Sequence, residues 1–105
     1  MYTGNEKSAI NRETAVSNIS ETMQGRHVDF DSTYLSQLAL GDLLKTNGAV
    51  GVRFYMGKVV EEGKIYKTLI AVAVDADGND LTEDGEVILG DKPCPVYCGG
   101  GGMWP

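Results

Sequence analysis

The 105-residue chain has little cysteine, proline, histidine or tryptophan, with two, three, one and one of each. One histidine and two cysteines are too few for a four-ligand zinc site unless acids or a second subunit contribute. The polar beginning of the chain lacks the apolar segment of a signal peptide, and no apolar run approaches the roughly 18 residues that span a membrane. We therefore expect a cytoplasmic protein with no membrane partner.

Basic residues are also scarce. Nine Lys and Arg against 15 Asp and Glu give a net charge of −6, which disfavours nucleic acid as a partner because that role needs concentrated positive charge. A basic protein or a cationic ligand fits this balance better. A hydrophobic content of 42% is typical of a folded domain and excludes disorder along the whole chain.

The first half of the chain has helical spacing. An N-cap at Asn11 and a glycine at Gly25 predict a first helix over residues 11–24. Alternation over residues 26–30 predicts a short strand, and an N-cap at Asp31-Ser32 predicts a second helix that ends at Asn47-Gly48. Its predicted buried stripe consists of Tyr34, Leu35, Leu38, Leu43 and Leu44.

The second half changes to a period of two. Ala49–Val59 predicts a strand with one core face, formed by Val50, Val52, Phe54 and Met56. Residues 61–64 predict a turn, and Ile65–Val74 a second strand, whose part 69–74 is apolar on both faces and so belongs mid-sheet or beneath a partner. Residues 86–89 predict an edge strand. The predicted fold is α+β, with two amphipathic helices packed on a small, mainly antiparallel sheet in a domain over residues 1–93.

Arg53 and Tyr55 share the other face of the first strand. Gly51 and Gly57 beside them leave room for a ligand or another chain to approach the backbone. The alternative, which we favour, is that a helix covers this face or that Arg53 pairs with one of the abundant acids.

The segment from Asp75 to Glu86 matches part of a calcium-binding loop. Five oxygen-bearing residues occupy ligand positions of the EF-hand: Asp75, Asp77, Asn79, Glu83 and Glu86. Asp80 stands where that loop needs glycine, however, and the residues before it predict a strand instead of a helix. An Asp-Gly turn with solvated acids explains the same residues, so we expect no metal or other cofactor.

Residues 94–105 form a Cys/Gly-rich C-terminal tail. Cys94 and Cys98 have C-x3-C spacing, which favours a disulfide or two thiols over a metal site, and we expect them to be mostly reduced in a cytoplasmic setting. Tyr97 and Trp104 add aromatic surface on either side of four glycines, so we expect both to contact a partner.

The chain resembles a group of short uncharacterised bacterial proteins with a C-P-x-Y-C-G tail. The resemblance is in the order of the predicted segments, in the strand Gly51-Val52-Arg53-Phe54-Tyr55 and in the ending Cys94-Pro95-x-Tyr97-Cys98-Gly99. The similarity runs from about residue 10 to Gly99. The similarity implies a shared fold, and its most specific parts are the tail and the strand that contains Arg53 and Tyr55. It implies no activity.

These features favour a non-enzymatic protein-binding or assembly module that acts through the Arg53 and Tyr55 face and the tail. Self-association as a homo-oligomer is expected, since two short helices can hardly cover both faces of the sheet. The first alternative is a small-ligand-binding protein in which Arg53 holds an anionic group. A thiol-based enzyme is the least favoured, because no pair of nucleophile and base can be named.

Overall fold

The computed structural model describes residues 1–23, 32–83, 85–94 and 97–98. Two helices, α1 (Arg12–Met23) and α2 (Gln37–Leu44), precede three strands, β1 (Gly51–Glu61), β2 (Lys64–Val74) and β3 (Val87–Leu89). The strands form one antiparallel sheet in the order β1-β2-β3. The predicted α+β class is therefore confirmed.

The hairpin of β1 and β2 is the main element of the fold. Its register runs from Gly51 opposite Val74 to Glu61 opposite Lys64, which leaves Glu62 and Gly63 as a two-residue turn. Both turn residues have positive φ, 50° and 77°, as a type I′ turn requires. Because the turn uses only these two residues, β1 extends two residues beyond its predicted end at Val59.

Capping residues define the helices. Asn11 caps α1, since its Oδ1 accepts a hydrogen bond from the Thr14 amide at 2.8 Å. The prediction of a cap at Ser32 for α2 is wrong: Ser36 fills that role, its Oγ accepting from Ala39 N at 3.1 Å, and Ser32 instead pairs with Cys94. The helix ends at Leu44, short of the predicted Asn47-Gly48. Asp31 and the strand predicted at 26–30 lie outside the described residues.

The core lies on the second half of β2. Ala71, Val72, Ala73 and Val74 are buried together with Leu43 of α2, Pro93 and Cys94. β2 is the central strand, as its apolar run predicted. No α1 side chain that the structure describes is buried.

Two predicted core assignments are wrong. Phe54 and Met56 are exposed, because α2 is only eight residues long and contributes Leu43 alone to the buried core. Tyr34, Leu38 and Leu44, predicted for the buried stripe of the second helix, are likewise exposed. Among the described residues, no helix is long and apolar enough to cross a membrane.

Candidate functional site

An apolar surface faces solvent on the hairpin. Residues directly opposite each other on paired strands share a face, so even positions of β1 and odd positions of β2 lie together. Four large side chains on this face, which we call the hairpin face, are exposed: Phe54 (50%), Met56 (68%), Val60 (61%) and Ile65 (66%). The opposed and exposed residues Lys58 and Lys67 divide these side chains into two pairs, Phe54 with Met56 and Val60 with Ile65. Exposed apolar side chains grouped on one face are typical of interaction surfaces.

The outer edge of β1 adjoins the hairpin face. In a hairpin closed by a two-residue turn, the flanking residues Glu61 and Lys64 exchange both backbone hydrogen bonds, so odd residues of β1 bond to β2. Consistent with this alternation, the carbonyls of Leu69 and Ala73 accept from the other side, from Gly90 N at 2.9 Å and Leu81 N at 2.8 Å. The even residues of β1 therefore point their N–H and C=O groups outward. No strand within the described ranges pairs with them.

Arg53 and Tyr55 lie on the opposite face of β1 and meet at Asp80. One Arg53 guanidinium nitrogen donates to Asp80 Oδ1 at 2.7 Å and to the Gly78 carbonyl at 3.0 Å. The Tyr55 hydroxyl donates to the other carboxylate oxygen of Asp80. Hydrogen bonding with Tyr55 and Tyr2, and then the charge of Asp80, raise the pKa of Arg53. The ion pair is partly exposed, so its main effect is to orient these side chains.

The sequence did not single out Asp80 as the partner of Arg53. The alternative in which Arg53 pairs with an acid is the arrangement found in the structure. Asp80 reaches Arg53 because an isolated bridge holds it beside Val74, the residue opposite Gly51 at the start of β1. One feature of the sequence could have indicated this pairing. The turn from Asp75 to Asn79 is short, so the chain after it returns to the end of β2, which lies beside Arg53.

The residues predicted as possible calcium ligands begin in a turn whose first acid, Asp75, is hydrogen-bonded within the turn itself. The Asp75 carboxylate accepts from the amides of Asp77 at 3.0 Å and Asn79 at 2.9 Å and from the Asn79 side chain at 3.3 Å. Hydrogen bonding, chiefly from the Asn79 backbone, lowers the pKa of Asp75. A strand, β2, enters the turn, and Glu83 and Glu86 are exposed beyond it. No group of three or more potential metal ligands occurs within the described part of the chain.

A disulfide joins Cys94 and Cys98 in the structure, in contrast to the reduced thiols expected from the sequence. Cys94 is buried and exchanges backbone hydrogen bonds with Ser32, whereas Cys98 is exposed. The bond closes a loop of so few residues that chain entropy contributes only roughly 2 kcal/mol. This value is at the low end of what a disulfide contributes to stability.

Tyr97 connects this loop to the hairpin. Its hydroxyl donates to Glu61 Oε1 at 2.6 Å, and this hydrogen bond is the main reason that the pKa of Tyr97 is raised. Lys92 Nζ lies 4.8 Å from the centroid of the Tyr97 ring, within cation–π range. The two side chains also line an open cleft of about 410 Å³ together with Ser32, Thr33 and Tyr34. Trp104 lies outside the described residues, as do residues 95–96.

No protein-family model, curated protein or solved structure matches this chain. The similarity to bacterial proteins with a C-P-x-Y-C-G tail therefore stays a prediction. Three surfaces of the molecule bear on its function: the hairpin face, the outer edge of β1 and the disulfide loop.

Proposed function

We propose that this chain is a non-enzymatic assembly module that forms a homodimer through the outer edge of β1. The observation that carries the proposal is the row of outward-pointing backbone groups along the outer edge of β1, beside four large exposed apolar side chains. Unpaired strand edges favour association, and the addition of a second strand satisfies their backbone groups.

A second copy of the chain fits this edge because β1 is self-complementary in register. Met56 is the central residue of the strand Gly51–Glu61, so a two-fold axis at Met56 pairs the whole of β1 with its copy in antiparallel orientation. Every outward-pointing residue then meets another outward-pointing residue, in the pairs Val52 with Val60, Phe54 with Lys58, and Met56 with itself. Their N–H and C=O groups exchange hydrogen bonds across the axis.

The side chains agree with the same register. Val52 lies opposite Val60 of the second copy, and the two Met56 side chains meet at the axis, which extends the hairpin face across six strands. Phe54 lies opposite Lys58 of the second copy, a pair suited to cation–π contact. On the reverse face, Arg53 meets Val59 of the second copy. No like charges lie opposite each other, although each copy has a net charge of −6.

The features predicted from the sequence have supporting roles in this dimer. Tyr55 lies opposite Gly57 of the second copy, where Ile70 of that copy already packs over the glycine and offers the Tyr55 ring an apolar neighbour. Asp80 holds Tyr55 and Arg53 beside the edge before association. The alternative of an anionic ligand on Arg53 is less favoured, because that ligand would have to displace the Asp80 carboxylate.

Sedimentation equilibrium over a concentration range tests the proposal, with Met56→Lys as the edge variant and Leu38→Lys as its control. Leu38 is 74% exposed on α2, so both variants place a lysine at a highly exposed apolar position. We expect the wild-type chain and Leu38→Lys to dimerise with a dissociation constant on the order of micromolar. Met56→Lys should raise that constant at least about tenfold, because two ammonium groups would meet at the axis.

Two results would count against the homodimer. A wild-type chain that sediments only at 11.3 kDa at tens of micromolar, roughly ten times the expected constant, has no self-association through this edge. Equal weakening by Met56→Lys and Leu38→Lys would place the interface elsewhere.

A further inference from the structure

The two sulfur atoms of the disulfide differ in access. Cys94 is buried, and its backbone is held by Ser32, with Cys94 N donating to Ser32 O at 2.7 Å and Ser32 N donating to Cys94 O at 3.5 Å. Pro93 before it is also fully buried. Cys98 is exposed at the other end of the loop. Thiol–disulfide exchange requires an attacking thiolate to reach one sulfur, so access decides which one reacts.

We propose that Cys98 is a thiol-exchange site at which low-molecular-weight thiols open the Cys94–Cys98 disulfide. A thiolate of the reductant attacks Cys98 Sγ, the bond between the two protein sulfurs breaks, and Cys94 leaves as a thiolate that takes a proton from water. A second thiolate then attacks the reductant's sulfur in the mixed disulfide. The products are the oxidised reductant, a disulfide of two thiol molecules, and the reduced protein, so two electrons enter the protein.

The surroundings of Cys94 confine the change to the loop. Pro93 and Cys94 are buried, and backbone hydrogen bonds pair Cys94 with Ser32, so contacts other than the disulfide hold this end of the loop, and we expect the domain to keep its fold after reduction. The contact of Tyr97 with Glu61 lies inside the loop and depends on its closure. Reduction therefore weakens the link between the C-terminal segment and the end of β1.

Local charge selects among thiols. Glu61, Asp91 and Glu62 act on the hydroxyl of Tyr97, the residue before Cys98, against the ammonium groups of Lys92 beside the ring and of Lys64 opposite Glu61 in the hairpin. A thiol with a net negative charge is repelled by this excess of carboxylates, and one with an amino group and no carboxylate is not. The cleft lined by Tyr34, Lys92 and Tyr97 gives room for the body of a small thiol.

The intact wild-type protein gives the first test. It is incubated with glutathione or with cysteamine at matched thiolate concentration, quenched with acid, digested and mapped by mass spectrometry. We expect the mixed disulfide at Cys98, and a rate with cysteamine at least about threefold above that with glutathione at low salt, the difference shrinking at high salt. A predominant adduct at Cys94 would overturn the assignment of the attacked sulfur, and equal rates at low salt would overturn the charge selection.

The variants Cys94→Ser and Cys98→Ser give a matched second test, since each leaves one thiol. With iodoacetamide, a neutral reagent, we expect Cys98 in the first variant to react at least about tenfold faster than Cys94 in the second. Circular dichroism compares the folding of the two. Equal alkylation of two folded variants contradicts the proposal, and the wild-type mapping decides the matter if either variant fails to fold. Dimer formation by β1 uses other residues, so its failure would leave these results unchanged.

Discussion

At the scale of single residues, Thr68 carries a hydroxyl into the core. Its Oγ1 donates to the Gly90 carbonyl, and Thr33 Oγ1 lies 2.9 Å away as a second partner. Because a threonine hydroxyl has one proton, Thr33 is the donor in that second bond. The Thr68 hydroxyl is buried and both of its hydrogen bonds are formed. It therefore holds β2, the residue after β3 and the segment before α2 in one arrangement.

Thr68→Val should lower the free energy of unfolding by about 1–3 kcal/mol, since the Gly90 carbonyl and the Thr33 hydroxyl each lose a partner while side-chain volume is kept. Urea denaturation measures the change. The control is Thr82→Val, an exposed threonine, which should stay within about 0.5 kcal/mol of wild type. Similar values for the two variants would mean that the hydroxyl network contributes nothing to stability.

Asp75 predicts a pH dependence. Its pKa in the fold is lowered from the ordinary value of 3.8 by hydrogen bonds within the turn. A lowered pKa in the folded state adds stability that is present above the unfolded value and lost as pH falls through the folded one. We expect the unfolding free energy of wild type to fall below about pH 4 more steeply than that of Asp75→Asn, which cannot titrate there. Superimposable acid limbs in urea titrations would contradict this.

The sequence predicted the roles of residues whose hydrogen-bond partners are close to them in the chain. Asn11 as a cap and the turn from Asp75 were predicted because their partners lie within four residues. Asp80 as the partner of Arg53 depends on the strand register, which brings together residues 27 apart. Local patterns do not encode that contact, so any of the many acids could have been predicted as the partner of Arg53.

At the scale of elements, the hairpin was predicted and the second helix was misplaced. Alternation and the turn predicted at residues 61–64 placed both long strands to within two residues of their observed ends. The α2 cap was wrong because Ser32 and Ser36 are both suitable caps, and pairing of Ser32 with Cys94, a contact across 62 residues, decided between them. The helix α2 is shorter than predicted because it begins later, after Ser36, and because a turn follows at Lys45.

Proline scanning separates the two edges of β1. The Lys58 amide points outward and the Val59 amide toward β2, so Lys58→Pro should keep the monomer folded yet weaken dimerisation at least about tenfold. Val59→Pro removes a ladder hydrogen bond within the hairpin and should lower the free energy of unfolding by about 1–3 kcal/mol. Thermal denaturation and sedimentation of both variants check this. Equal destabilisation of the two monomers would show that the outward direction assigned to Lys58 is wrong.

At the scale of the whole molecule, the hairpin extends beyond what the rest of the chain covers. Apolar alternation in β1 predicted a core face, and the core in fact ends near Ala71, leaving Phe54 and Met56 in solvent. A periodic pattern indicates that a face is apolar and does not say what covers it. An eight-residue helix is too short to cover an eleven-residue strand. The second copy proposed for β1 pairs with its outer edge, and the hairpin face continues across both copies.

Cysteine cross-linking at the proposed axis tests that central claim most directly. Directly opposite residues of a hydrogen-bonded antiparallel pair have Cα atoms about 5.5 Å apart, within the range of a disulfide. In a background of Cys94→Ser and Cys98→Ser, Met56→Cys at micromolar concentration should oxidise largely to a covalent dimer, while the equally accessible Leu38→Cys stays mostly monomeric. Equal cross-linking of both positions, or none at Met56, would contradict a two-fold pairing of β1.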